Sequence, residues 1–212
     1  EEVFLQLRGE DAYAYQGNNG AVTSVQFSPF HRNLFLLSGT DGTVKLFHLL
    51  EKSPIRCWEP TPPPGTSGVS GTFSPISAAS FSPIRPLVFA ATSSDGFVYL
   101  YDLGANPLSP VASLECPLLP PVSAEDAAKE AARGASVSTK HKPVAHKKAS
   151  GGDAAHNRVT VTGLAFNPKQ RGLIAACDYL GRVHIWKLSW KLSNIKADEQ
   201  STLDAIASIY SS

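Results

Sequence analysis

Three segments of the chain repeat one another at fixed internal distances. Residues 21–50 read AVTSVQFSPFHRNLFLLSGTDGTVKLFHLL, residues 77–103 read SAASFSPIRPLVFAATSSDGFVYLYDL, and residues 159–188 read VTVTGLAFNPKQRGLIAACDYLGRVHIWKL. Each contains an aromatic, a small polar residue and a proline: Phe27-Ser28-Pro29, Phe81-Ser82-Pro83 and Phe166-Asn167-Pro168. Proline and turn glycine stand 13 residues apart every time, as Pro29 and Gly42, Pro83 and Gly96, and Pro168 and Gly181. The leading aromatic and a second one stand 20 apart, as Phe27 and Phe47, Phe81 and Tyr101, and Phe166 and Trp186. Two independent spacings kept three times describe a tandem array of one supersecondary unit, which buries its faces by stacking on its neighbours.

The chemistry within one copy is that of an antiparallel meander. Val22, Val25 and Phe27 suit a first strand that the proline ends, because proline has no N–H for the ladder. Dense apolar runs follow at residues 34–37, 87–91 and 173–176, as in strands covered on both faces. A tight turn comes next, with Asp41-Gly42 and Asp95-Gly96, where glycine supplies a positive φ and aspartate bonds nearby amides. The third strands, residues 43–47, 97–101 and 182–186, are rich in β-branched and aromatic residues. Residues 55–58 and 111–114 suit an outer fourth strand. Four-stranded units of this kind are propeller blades, and the expected fold is all-β: about three blades and part of a fourth.

The blades are not evenly spaced. Phe27 and Phe81 are 54 residues apart, and Phe81 and Phe166 are 85 apart, both beyond a usual blade period of about 40–45. The chain therefore divides into the end of a truncated blade (1–16), a blade (17–60), a Pro/Gly/Ser-rich loop (61–76), a blade (77–116), an Ala/Lys-rich insertion (117–157), a blade (158–190) and a tail (191–212). Residues 2–7 alternate like the end of a third strand, and residues 13–15 suit the outer strand after it. The insertion lacks aromatics and is expected to be disordered; Ser123 with Glu125 and Asp126 could start a short helix through Arg133, but an isolated helix of that length is marginal in water. In the tail, apolar residues at 203, 206 and 209 favour a helix over a closing strand.

With 212 residues and no methionine, three blades and an edge are too few to close a ring of 4–8 blades. The chain is expected to be the C-terminal part of a larger propeller. No apolar run approaches the roughly 18 residues of a membrane span, so no membrane insertion is expected. The net charge of +1 gives no global attraction to nucleic acid. Lys140, Lys142, Lys147 and Lys148, with His141 and His146, form a basic cluster within the insertion, read as a solvated loop. Cys57, Cys116 and Cys177 are scattered without ligand spacing, which fits a reducing compartment and neither a disulfide framework nor a zinc site. No phosphate-binding loop or nucleophile elbow is present. No catalytic residue, cofactor or metal is expected.

The repeats resemble WD40 repeats, with Phe47, Tyr101 and Trp186 at the tryptophan position. Only Tyr101-Asp102 keeps the aspartate that follows it, and Leu180 stands where Asp41 and Asp95 stand in the other copies. The stretches 28–42, 82–103 and 164–189 resemble the last blades of a dynein intermediate chain, with the S-P-[IV]-[RH]-P box of that family at Ser82 to Pro86. The first stretch and the tail LDAIASI (203–209) are most similar to the dynein-2 type, that of intraflagellar transport. The resemblance implies a non-enzymatic interaction subunit that docks on the dynein heavy-chain tail and contacts other dynein subunits. It places the protein in the cytoplasm, the cytoskeleton and the cilium or flagellum, at axoneme and basal body. Light chains bind N-terminal to the propeller in that family, a region this chain is expected to lack. The alternative is a WD40 scaffold in a ubiquitin-ligase or chromatin complex.

A rigid β scaffold with variable loops places partner contacts on the loops before first strands and on the turns between second and third strands. Candidates are Asn18, Asn19, Thr40, Ser94, Arg158, Asp178 and Tyr179. Trp186 reads as blade packing and Trp58 and Trp190 as candidate contact residues; for Trp58, on an outer strand that is the least buried of four, packing remains the favoured reading and exposure the alternative. His31, His48 and His184 read as packing or surface residues.

Overall fold

The computed structural model describes residues 15, 17–63, 74–117 and 158–208. Three antiparallel sheets follow one another along the chain. The first contains β1 (Val22–Phe27), β2 (Leu34–Gly39), β3 (Val44–His48) and β4 (Arg56–Trp58) in sequence order. The second repeats that order with β5 (Ile76–Phe81), β6 (Val88–Ser93), β7 (Phe97–Asp102) and β8 (Ala112–Glu115). The third has three described strands, β9 (Val161–Phe166), β10 (Leu173–Asp178) and β11 (Val183–Lys187). The fold is thus all-β in three blade-like meanders, and the apolar runs read from sequence form the central strands β2, β6 and β10. The short helix α1 (Trp190–Ser193) and the helix α2 (Glu199–Ser208) complete the described chain. The sequence 2–7, residues 13 and 14, most of the Pro/Gly/Ser-rich loop and residues 118–157 lie outside the described residues.

The repeat explains its own local geometry. The small polar residue before each proline folds the following turn by accepting backbone N–H groups. Ser28 Oγ accepts from Phe30 and His31, Ser82 Oγ from Ile84 and Arg85, and Asn167 Oδ1 from Lys169 and Gln170. The turn glycines have φ of 80°, 90° and 78° at Gly42, Gly96 and Gly181, where a Cβ is strained.

A third repeated position escaped sequence reading. Each first-strand pairing breaks register at the same place, with Thr23, Ser77 and Thr162 as the extra residue of a bulge. Their hydroxyls all turn to the neighbouring strand: Thr23 Oγ1 lies 2.8 Å from Ser38 Oγ, Ser77 Oγ 2.8 Å from Thr92 Oγ1, and Thr162 Oγ1 donates to Cys177 O at 3.2 Å. Each of these three residues stands four positions before the leading aromatic, a regularity visible in the sequence once its purpose is known.

The first strands of successive sheets lie side by side, β1 against β5 and β5 against β9. Between the first two sheets the seam is polar: Thr23 Oγ1 donates to Ile76 O at 2.6 Å, Ala79 N–H to Ser24 Oγ at 3.0 Å and Phe81 N–H to Gln26 Oε1 at 2.6 Å. Outside that seam the sheets bury apolar side chains. Leu34, Leu36, Val44 and Leu46 of the first sheet meet Phe81, Phe89, Tyr99 and Tyr101 of the second, while Val98 and Leu100 meet Val161, Ile174 and Ala176 of the third. Trp58 packs between sheets and is not a surface contact residue. It is 3% exposed, because β4 sits against the face of the second sheet, with its ring 4.8 Å from Phe89 and 5.8 Å from Tyr101. An outer strand is peripheral within its own sheet but central between two stacked sheets. Val22, Val25 and Phe27 on the first sheet, and Val183 and Ile185 on the third, remain exposed.

Gly96 carries a second constraint besides its φ. A Cβ there would lie 2.7 Å from Arg158 Cβ and 3.0 Å from Val159 O, whereas one at Gly181 meets nothing within 4 Å. Gly96→Ala is expected to cost about 1–3 kcal/mol and Gly181→Ala clearly less, since both pay for backbone conformation but only Gly96 is crowded. Equal shifts of the two denaturation midpoints would contradict this.

Candidate protein-interaction surface

The predicted contact residues gather on one end of the sheets, where the chain leads into each first strand beside the turn between second and third strands. The backbone builds this end identically in all three copies. Thr40 N–H donates to Ala21 O at 2.9 Å, Ser94 N–H to Pro75 O at 2.9 Å and Tyr179 N–H to Thr160 O at 3.1 Å. Asn19 N–H donates to Asp41 Oδ2 at 3.1 Å, and Thr40 Oγ1 accepts Ala21 N–H at 2.9 Å. The Asn18 amide is enclosed here without a hydrogen-bond partner. Asn19, Thr40 and Tyr179 are exposed, Asn18 and Ser94 half-buried.

Arg158 and Asp178 prove to be structural. The Arg158 guanidinium lies 4.6 Å over the Phe97 ring, and its Nε donates to Asp95 O at 3.1 Å, so it ties the start of the third sheet to a turn of the second. Asp178 is 4% exposed. Its Oδ1 accepts Leu180 and Arg182 N–H, each at 2.9 Å, and its Oδ2 lies 3.0 Å from His184 Nε2. In the other copies Asp41 Oδ1 accepts Thr43 N–H at 3.1 Å and Asp95 Oδ1 accepts Phe97 N–H at 3.3 Å. The turn carboxylate has moved two positions upstream in the third copy, and Tyr179 and Leu180 are free to face solvent.

The opposite end holds a feature that sequence reading missed. Arg85, the arginine of the Ser82–Pro86 box, is fully buried. Its Nη1 lies 3.0 Å from Asp102 Oδ2 and donates to Lys191 O at 2.5 Å, while Nε and Nη2 grip the Glu199 carboxylate. Lys196 Nζ adds a second cation 3.0 Å from Asp102 Oδ2. The chain after β11 is thereby drawn across the sheets as a strap. Leu203 and Ala207 of α2 enter the core between the first two sheets, and Gln200 Nε2 donates to Phe30 O at 3.1 Å. The helix expected for the tail is present, and Arg85 determines where it lies.

Electrostatics follow from these contacts. For Asp102, burial pushes the pKa up but the hydrogen bond from Lys196 and the charge of Arg85 outweigh it, leaving it below the ordinary 3.8. For Asp178, burial is likewise outweighed, by the Arg182 N–H, His184 and the Leu180 N–H. A carboxyl depressed in the folded state stabilises fully above its unfolded pKa and loses that contribution as pH falls through the folded value. Stability is thus expected to hold through the neutral range and to fall below about pH 4. Asp178→Asn should flatten the acid limb of a plot of denaturation midpoint against pH, and an unchanged limb would contradict the assignment. Among the described residues no group of three or more His, Cys, Asp or Glu side chains is placed to hold a metal ion.

Tandem antiparallel meanders of four, four and three described strands, stacked through their first strands and sharing a common end of turns and loops, define a WD-repeat protein of the β-propeller class. The WD40 family profile, described as WD domain, G-beta repeat, matches residues 9–48 and 66–102. Human cytoplasmic dynein 2 intermediate chain 2 is 28% identical over 203 residues, covering 96% of this chain and 29% of the relative. The mouse protein of the same name is 30% identical over 202 residues, covering 95% of this chain and 28% of the relative. Mouse cytoplasmic dynein 2 intermediate chain 1 is 34% identical over 91 residues, covering 43% of this chain and 8% of the relative. The chain is similar to dynein-2 intermediate chains along nearly its whole length, and it spans under a third of the length of the intermediate chain 2 relatives.

Proposed function

We propose that the chain is part of a non-catalytic WD-repeat subunit of a dynein motor complex, which docks on the heavy-chain tail and serves retrograde intraflagellar transport and cilium assembly. The observation that carries this reading is similarity to a dynein-2 intermediate chain along 95–96% of the chain, through all three sheets and the strap. The geometry agrees with an interaction role: rigid sheets present Asn19, Thr40 and Tyr179 at one end, and the open apolar faces of the first and third sheets are surfaces for further blades or a partner subunit to cover. Light chains would bind elsewhere in the protein. The test is affinity purification of the tagged full-length protein from ciliated cells, with localisation to the axoneme and basal body as a second readout. Recovery of the dynein heavy-chain tail is the expected result. Ubiquitin-ligase or histone partners without dynein would overturn it.

A further inference from the structure

Charge is distributed unevenly over the described chain. Residues 158–197 hold seven Lys or Arg side chains and a single carboxylate, Asp178, although the whole chain carries only +1. That carboxylate is buried and spent on its own turn and His184. Three of the cations are also engaged: Arg158 against the second sheet, Lys196 on Asp102, and Arg182 beside the third-sheet turn. The other four, Lys169, Arg171, Lys187 and Lys191, are exposed, and none of them forms a salt bridge among the described residues.

The fold brings these four to one place. Lys169 and Arg171 lie on the loop between β9 and β10; Lys187 ends β11 in register with Leu173; Lys191 lies in α1. Leu188 N–H donates to Gly172 O at 2.6 Å, and a Cβ on Gly172 would meet Ser193 Cβ at 2.9 Å, so that loop and α1 are in direct contact. Trp190 opens α1 and is 78% exposed. The backbone beneath is held, because Arg85 Nη1 binds Lys191 O. An exposed tryptophan on a held backbone, in a helix that touches the loop carrying two of these cations and itself carries a third, has the composition of an interface anchor with a steering rim.

We infer that this patch docks an acidic polypeptide segment carrying an apolar side chain, with Trp190 receiving the apolar group and Lys169, Arg171, Lys187 and Lys191 its carboxylates. A single exposed indole favours a polypeptide over nucleic acid, where successive bases need successive aromatic platforms. This inference is independent of the dynein reading and stands or falls separately from it.

The experiment uses the full-length protein and a short fluorescein-labelled peptide rich in Glu with a central Phe pair. The same peptide with Gln for every Glu, phosphatidylserine vesicles and a single-stranded oligonucleotide serve as competitors. Wild-type protein should bind the Glu peptide and lose affinity as salt rises. Lys169→Glu with Arg171→Glu and Lys191→Glu should weaken binding by at least about tenfold, and Trp190→Ala should weaken it by about tenfold without changing the salt dependence. All these side chains are exposed, so the denaturation midpoint should stay where it is. Equal binding of Glu and Gln peptides, an unaffected charge-reversal variant, or tighter binding of vesicles or oligonucleotide than of the Glu peptide would overturn the inference.

Discussion

Arg85→Ala is expected to lower the unfolding free energy of the intact protein by about 3–5 kcal/mol, the range found when one partner of a buried ion pair is removed. The cost arises from what remains. Glu199 is 4% exposed and would be left buried without its cation, and Asp102 would retain Lys196 alone. Removing both sides should be milder, so Arg85→Met with Glu199→Leu should recover much of the loss, as apolar replacement of buried pairs often does. Arg85→Lys should recover little, because one ammonium cannot reach Asp102, Glu199 and Lys191 O together. Urea denaturation measures the energies, and amide exchange along α2 shows whether the strap is what loosens. Unchanged α2 protection in Arg85→Ala would refute the role assigned to the arginine.

Trp58→Ala is expected to cost a similar amount, about 3–5 kcal/mol, through the cavity left between the first two sheets. The indole packs on Phe89 and Tyr101, which are themselves stacked 4.6 Å apart, and its Nε1 donates to Pro107 O at 2.9 Å. Trp58→Phe separates the two contributions, since it keeps an aromatic but leaves Pro107 O unpaired, and should cost about 1–3 kcal/mol. A Trp58→Ala loss under about 1 kcal/mol, the level of an ordinary surface change, would show that the sheets are not stacked through this residue.

Much of the fold was legible because its determinants lie close together in the chain. Proline, a small polar residue, a central apolar run and a turn glycine each act within a few residues, so Ser28, Ser82 and Asn167 shape the same turn wherever they occur. The interaction end was legible in part. Loops before first strands and turns after second strands do meet, but Asp178 looked like a surface carboxylate because nothing local shows that it has taken over the work of the missing aspartate at 180. Contiguous counting finds only part of the charge pattern. The insertion holds its Lys140–Lys148 cluster outside the described residues, and the exposed cations of the third sheet come from a loop, a strand end and a helix that are separate in sequence.

By itself the sequence determined the repeat, the all-β blades and the glycine turns, since these follow from side-chain periodicity and backbone preference over short spans, while it left the tail open between a helix and a closing strand. Only the tertiary structure decided which of those residues are hidden. Trp58 is buried because a second sheet lies over an edge strand. Arg85 is a clasp because Glu199, 114 residues away, returns to it, and Lys169 and Lys191 share one surface because the strap begins beneath that loop. Burial and charge pairing depend on what lies nearby in space, and in a stacked array the neighbour comes from another repeat.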